Sequence, residues 1–357
     1  MFLTTAVAQI AHLQRARRRI TAAPLAAALA FAGVPVNAGT IYLAPAGKDS
    51  SDGLKAAKPV ATLDRAVALA LAQSARTGEA MTVQVARGSY RGQTLVLDGK
   101  QLVAPLTITG TSADTAQYPS FFGDSRATWL RVNAKAGRAT GLTISRLRIA
   151  RYATAISLNG DRNSPDTFNS GTVIRNNVFN KIGSITQTTD SPSTAAIRLV
   201  NSRDNIIAQN YFHTTRNRTA QDCSLLHPIY VAHYSSGNHI TGNTFQDFCG
   251  DGIKLRDRSN DNVLEKNSFL NGGSAIAIAE WYCEESRMGE CSKDDGECPS
   301  TGNIVNDNKF SGVAFYRRVV IHGGKKRYPW CSADDFSRDR FSGSDMSLLV
   351  KLFGAFR

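Results

Sequence analysis

Five times between residues 140 and 310 the chain closes a short phrase on Asn-x-Phe: NNVF at 176–179, QNYF at 209–212, GNTF at 242–245, KNSF at 266–269 and DNKF at 307–310. The shared asparagines, Asn177, Asn210, Asn243, Asn267 and Asn308, are separated by 33, 33, 24 and 41 residues. Each phrase contains a short alternating apolar strand, a polar turn and a second short strand. The shortest interval is a minimal coil, and the longer ones are that coil plus a loop. A period in the twenties built from β-branched strands and Asn/Gly turns specifies a solenoid of stacked β-coils. Helical repeats would need apolar residues spaced by three and four, and that spacing is missing. At each tight turn the Asn amide is expected to bond the backbone and the equivalent asparagines of neighbouring coils. The phenylalanine two residues later is expected to point inward and stack on its counterpart.

Alignment on the inward isoleucines puts Ile156, Ile197, Ile229, Ile253 and Ile276 in one buried ladder, and Leu158, Leu199, Val231, Leu255 and Ile278 in the next. Ser157, Arg198, Tyr230, Lys254 and Ala277 then face outward between them, followed by Asn159, Val200, Ala232, Arg256 and Ala279. Parallel neighbours lie about 4.8 Å apart, so residues adjacent in a column can act together. His227 and Asp251 align two residues upstream of the ladder. The columns thus gather Arg198, Tyr230, Lys254, Arg256, His227 and Asp251 into one patch. Two long loops are placed to wall it: TTRNRTAQDCSLLHP at 214–228, and the segment after the Ala277 strand, which begins Glu280-Trp281-Tyr282. Long loops in a compact coil usually bind or gate. Trp281 and Tyr282 suit stacking on sugar rings, and equally suit covering the loop's own small core. His233 and His239 are expected in turn or core positions, and Asp257 in a local ion pair with its flanking arginines.

The first 38 residues read as a separate segment. Arg15, Arg17, Arg18 and Arg19 precede an apolar, alanine-rich run and the small-residue pattern Val36-Asn37-Ala38, which is the form of a secretory signal and is too short for a membrane span. Its removal lowers the formal charge from +13 to +9. A basic chain outside the cytoplasm favours an anionic partner such as acidic polysaccharide over nucleic acid. All six cysteines, Cys223, Cys249, Cys283, Cys291, Cys298 and Cys331, follow residue 220. An even number in an exported chain argues for disulfides, and their spacing fits no zinc pattern.

Residues 40 to 320 resemble the right-handed parallel β-helix proteins of the pectate-lyase-like superfamily. The resemblance includes the entrance IYLAPAGKDSSDGLKAAKPVATLDRAVALALAQ, in which Thr62 is a candidate N-cap and Leu63, Ala66, Leu69 and Leu71 form much of an apolar side. The expected fold is all-β: a right-handed parallel β-helix with an N-terminal capping helix. Its parts would be a signal peptide at 1–38, strand and capping helix at 39–80, the β-helix at 81–320, and a basic segment with a possible terminal cap at 321–357. The resemblance implies a polysaccharide lyase that cleaves a uronic-acid polymer by β-elimination; with the leader segment, the expected protein is secreted or periplasmic, monomeric and without stable membrane insertion.

That reaction needs a base near C5, neutralisation of the carboxylate and a donor for the leaving oxygen. Lys254 is the candidate base, which requires its pKa to fall from about 10.4. Arg256 or Arg198 would clamp the carboxylate, and Tyr230 and His227 are alternative base and acid. Asp251, Glu280, Trp281 and Tyr282 complete the substrate-binding candidates. Many such lyases hold the carboxylate with Ca²⁺, for which Asp251, Asp257, Glu280, Asp294, Asp295 and Glu297 are the available acids. The polygalacturonase elements and the Asp-Pro-His-Asp element of alginate epimerases are absent. Two rivals stand beside the lyase: a non-catalytic, adhesin-like carbohydrate-binding β-helix, and a glycoside hydrolase of the same fold, which needs two carboxylates flanking the bond.

Overall fold

The computed structural model describes residues 39–321 and 340–342, apart from 125–127, 136, 187–192, 273, 274 and 284–296. The signal segment and the apolar stretch 344–357 lie outside the described residues, and those described fall in one compact unit, Val36–Arg357. Among them no helix is long and apolar enough to cross a membrane.

Three long sheets carry the chain, each complete coil adding one strand to each, and a short three-stranded sheet, Arg138–Ala139, Asn169–Ser170 and Ser202–Arg203, lies at one corner. The first runs from Gly39–Leu43 to Arg340–Ser342 in ten strands, the second from Ser89–Arg91 to Lys309–Ser311 in eight, and the third from Leu95–Asp98 to Ala314–Ile321 in eight. Their paired strands are parallel throughout, so the architecture is a parallel β-helix. Pairing begins at Gly39 and reaches Ser342, so coils continue past residue 320, where the sequence pattern fades.

The Asn-x-Phe phrases form the corner that fixes the stacking. Backbone N–H and Nδ2 of Asn177 both donate to Asn210 Oδ1, and the motif repeats from Asn210 to Asn243, Asn243 to Asn267 and Asn267 to Asn308. The residue before each ladder asparagine takes a left-handed turn: Asn176, Gln209, Gly242, Lys266 and Asp307 have φ between 53° and 65°. That strain is offset by the amide ladder, because the side chain satisfies buried donors that the turn would otherwise orphan. Phe179, Phe212, Phe245, Phe269 and Phe310 stack behind it with centroids 4.7, 4.9, 4.8 and 5.6 Å apart. A second ladder, Asn205, Asn238, Asn262 and Asn303, marks another corner and is one that the Asn-x-Phe pattern does not register. Its signal is an Asn preceded by Asp or Gly at the same spacing.

The helix Leu63–Thr77 packs against the first strands, with Thr62 Oγ1 accepting from Arg65 N. Its buried side is Leu63, Ala66, Val67, Ala70 and Ser74, while Leu69 and Leu71 are only partly buried at its edge. This corrects the expected face by part of a turn. Small residues let the helix sit close over the open end of the coil, which an uncovered solenoid would expose as apolar surface.

Candidate active site

The expected register holds through four coils of the third sheet. Ile156, Ile197, Ile229 and Ile253 pair in sequence, and between them Ser157, Arg198, Tyr230 and Lys254 form one outward column. The next coil departs from it. Ile253 pairs with Ile278 rather than Ile276, so Lys254 neighbours Ala279 and Arg256 neighbours Trp281. The corner from Phe269 to Ile278 holds one residue more than that from Phe245 to Ile253. Strand alternation repeats every two residues, so it cannot distinguish Ile276 from Ile278 as the rung.

The shift reassigns two residues. Trp281 comes under the cationic patch, its ring 4.0 Å from the Arg256 guanidinium and 4.9 Å from Lys254 Nζ. Glu280 falls at the inward register of Leu255, 1 % exposed, and accepts the Ser300 N–H at 2.9 Å. It therefore turns away from the face it was expected to serve. Tyr282 is buried as well.

Arg256 is the best-anchored cation in the patch. Its Nε donates to both Glu297 oxygens at 2.9 Å, a second guanidinium nitrogen lies 2.7 Å from Oε1, and Nη1 donates to the Tyr230 hydroxyl at 3.3 Å. Burial works against its charge, but Tyr230 and Glu297 raise its pKa above the ordinary arginine value. Tyr230 is driven upward by burial, with Arg256 only partly opposing, and so remains a neutral phenol. Arg198 Nη1 donates to Asn159 Oδ1 at 3.1 Å. Its pKa is lowered by burial and by the nearby charges of Arg162 and Arg131. Asp251 is buried, and its carbonyl accepts Nδ1–H of the buried His227 at 3.1 Å, tying successive coils together.

Glu297 entered the sequence reading only as a loop acid. It reaches Arg256 across 41 residues, the interval that separates Asn267 from Asn308, so alignment on the asparagines would have paired them. His233, expected in a turn or core, is buried at φ 51° and donates Nδ1–H to Asp257 Oδ2 at 2.9 Å. Asp257 also pairs with Arg258 at 2.6 Å, as a local ion pair should, and accepts the Cys298 N–H. His239 is exposed on the first sheet. The 214–228 loop forms a short helix, Ala220–Cys223, bonded through Cys223 to Cys249. It packs so closely on the next corner that a Cβ at Gly250 would lie 1.8 Å from the Leu226 carbonyl oxygen. Cys298 is also disulfide-bonded, and the other loop, 284–296, lies outside the described residues.

His233, Asp257 and Glu297 present ligand atoms within 4.8 Å of one another. They do not fit calcium, which seeks six to eight oxygens. Arg258 holds Asp257, and Arg256 and Arg162 hold Glu297, so the positive charge is already supplied by arginines. Asp294 and Asp295 lie outside the described residues. The cluster acts as a buried ionic latch between coils.

The latch has a pH signature. Burial lowers the His233 pKa, with Asp257 opposing, so the folded value lies below the usual 6.5. The unfolded chain then takes up a proton that the folded chain refuses, and stability falls as pH drops through about 6.5. Thermal unfolding of wild type and His233→Gln at about pH 7.5 and pH 5.5 should show a shallower acid loss in the variant. Equal losses would remove His233 as the cause.

The sequence profile described as "Right handed beta helix region" matches residues 132–320. No curated protein sequence is a significant match. Among solved structures, an alginate lyase from Paenibacillus sp. str. FPU-7 is 12% identical with TM-score 0.44, over 71% of this chain and 96% of that one. The pectate lyase Pel9A is 13% identical with TM-score 0.44, over 86% and 84%. A glycoside hydrolase is 9% identical with TM-score 0.41, over 87% and 100%. Similarity at this level assigns no activity.

Proposed function

Because the chain belongs to the right-handed β-helix family, we propose that it is an exported lyase cleaving a uronic-acid polysaccharide by β-elimination on the Arg198–Tyr230–Lys254 face. The observation that carries this reading is that three successive coils set a cation, a neutral phenol and an amine on consecutive rungs. Arg198 neutralises the uronate carboxylate, which makes the C5 proton acidic. Lys254 Nζ takes that proton, the C5–H electrons form the C4=C5 double bond, and the C4–O bond breaks. A lysine does this only in its neutral form. The leaving oxygen receives the Tyr230 hydroxyl proton, which is free to point at substrate because Arg256 donates to that oxygen. Arg256, held by Glu297, positions Tyr230 and does not clamp the substrate.

Trp281, under both cations, extends the face with an apolar surface for a sugar ring. His227 supports it from below through Asp251. The Cys223–Cys249 disulfide supports an oxidising, exported setting. Hydrolysis is less well supported, since Asp251, Asp257, Glu280 and Glu297 are all buried, and Asp257 and Glu297 are held by arginines.

The test is incubation with a panel of uronate polymers while following the ultraviolet absorbance of the unsaturated product. Absorbance should rise on at least one acidic polymer and on no neutral one. A flat trace on every acidic polymer, with the protein folded, would overturn the lyase reading.

A further inference from the structure

The column that holds Tyr230 has a rhythm of charge. Its Cα partners run Val96, Arg131, Ser157, Arg198, Tyr230, Lys254, Ala279 and Arg317. Cationic residues occupy every second coil, and uncharged ones the coils between. With strands about 4.8 Å apart, the cationic rungs recur at about 10 Å.

Two independent observations mark the rhythm as more than a solvated face. Among the described residues, neither Arg131 nor Arg198 has a carboxylate within ion-pair distance, although both lie in each other's field. Like charges gathered without acids cost stability until an anion arrives. On the coils of Arg131 and Ser157 the flanking positions are uncharged hydrogen-bonding groups, Thr128 and Thr154 on one side and Asn133 and Asn159 on the other, and Asn159 Oδ1 also accepts from Arg198. Such groups suit sugar hydroxyls, and they leave the charge on the central column.

An extended pyranose chain advances by roughly one strand spacing per sugar. Building on the acidic-polysaccharide reading above, we propose that this face recognises a polymer with one negative charge on every second sugar, a uronic acid alternating with a neutral sugar. Successive carboxylates meet Arg131 and Arg198, the uronate held at Arg198 is the reacting sugar, and Tyr230 and Lys254 follow on the next two rungs. A polymer charged on every sugar would set alternate carboxylates against Ser157 and Tyr230, where no cation waits.

Three probes separate the cases: hyaluronan, charged on alternate sugars; polygalacturonate, charged on every sugar; and neutral dextran. Binding is read by affinity electrophoresis of the Lys254→Ala variant at fixed salt, so that no polymer is consumed. Hyaluronan should bind about tenfold more tightly than polygalacturonate at equal charge concentration, as expected for well-placed ionic hydrogen bonds. Arg131→Ala should remove most of that preference, whereas Ser157→Arg, which fills an intervening rung, should shift it toward polygalacturonate. Equal or tighter binding of polygalacturonate, or binding of both no better than dextran, overturns the spacing inference. Elimination by wild type is scored separately. Cleavage of polygalacturonate with tight binding to it keeps the lyase and sinks the spacing, whereas preferential hyaluronan binding with no elimination on any acidic polymer keeps the spacing and sinks the lyase.

Discussion

Lys254→Ala is expected to lower the turnover number for elimination by about 10³-fold while changing KM for the polymer only modestly. Removing a general base typically costs 10²- to 10⁴-fold, because the proton must then leave to water. Lys254 is half-buried at the strand surface beside the Trp281 ring, so its loss opens no core cavity. Unfolding free energy should therefore stay within about 0.5 kcal/mol of wild type. Lys254→Arg keeps a cation over Trp281 but supplies no base at neutral pH, and should bind polymer nearly as well while staying inactive. Activity in Lys254→Arg close to wild type would show that the position contributes charge alone.

Phe245→Ala should have the largest effect on stability, about 3 to 5 kcal/mol in denaturant unfolding. The ring is fully buried between Phe212 at 4.9 Å and Phe269 at 4.8 Å, so its removal leaves a void facing two coils. A solenoid is held by contacts between nearest-neighbour coils, and this one change weakens two of those interfaces. The same coils carry Tyr230 and Lys254, so activity should fall with stability. Phe310→Ala, on a partly exposed ring at one end of the stack, should cost distinctly less. If the two variants cost the same, the stack is not what couples the coils.

The sequence discloses the fold because the corner chemistry repeats. Asn-x-Phe places one amide and one ring at each turn, and both ladders form as those residues demand. The isoleucine alignment is correct from Ile156 to Ile253, which sets Arg198, Tyr230 and Lys254 side by side. It slips at Ile276 because alternation has period two, and the slip hid both the inward turn of Glu280 and the contact between Trp281 and Arg256. The buried latch was illegible for a different reason. His233 and Asp257 are 24 residues apart, as are Asn243 and Asn267, and Glu297 follows Arg256 by 41. Those intervals carry the information, but charged residues in turns look like solvated ones until the asparagine corners set their register.

Product masses from a digest of the preferred polymer probe the chemistry at this face most directly. Elimination splits the chain without adding water and leaves an unsaturated uronate at each new non-reducing end, so fragment masses should sum to that of the parent, and fragments should form about 10³-fold more slowly with Lys254→Ala. Fragments each heavier by the elements of water, or unsaturated ends that persist undiminished in Lys254→Ala, would contradict β-elimination by the Arg198–Tyr230–Lys254 cluster.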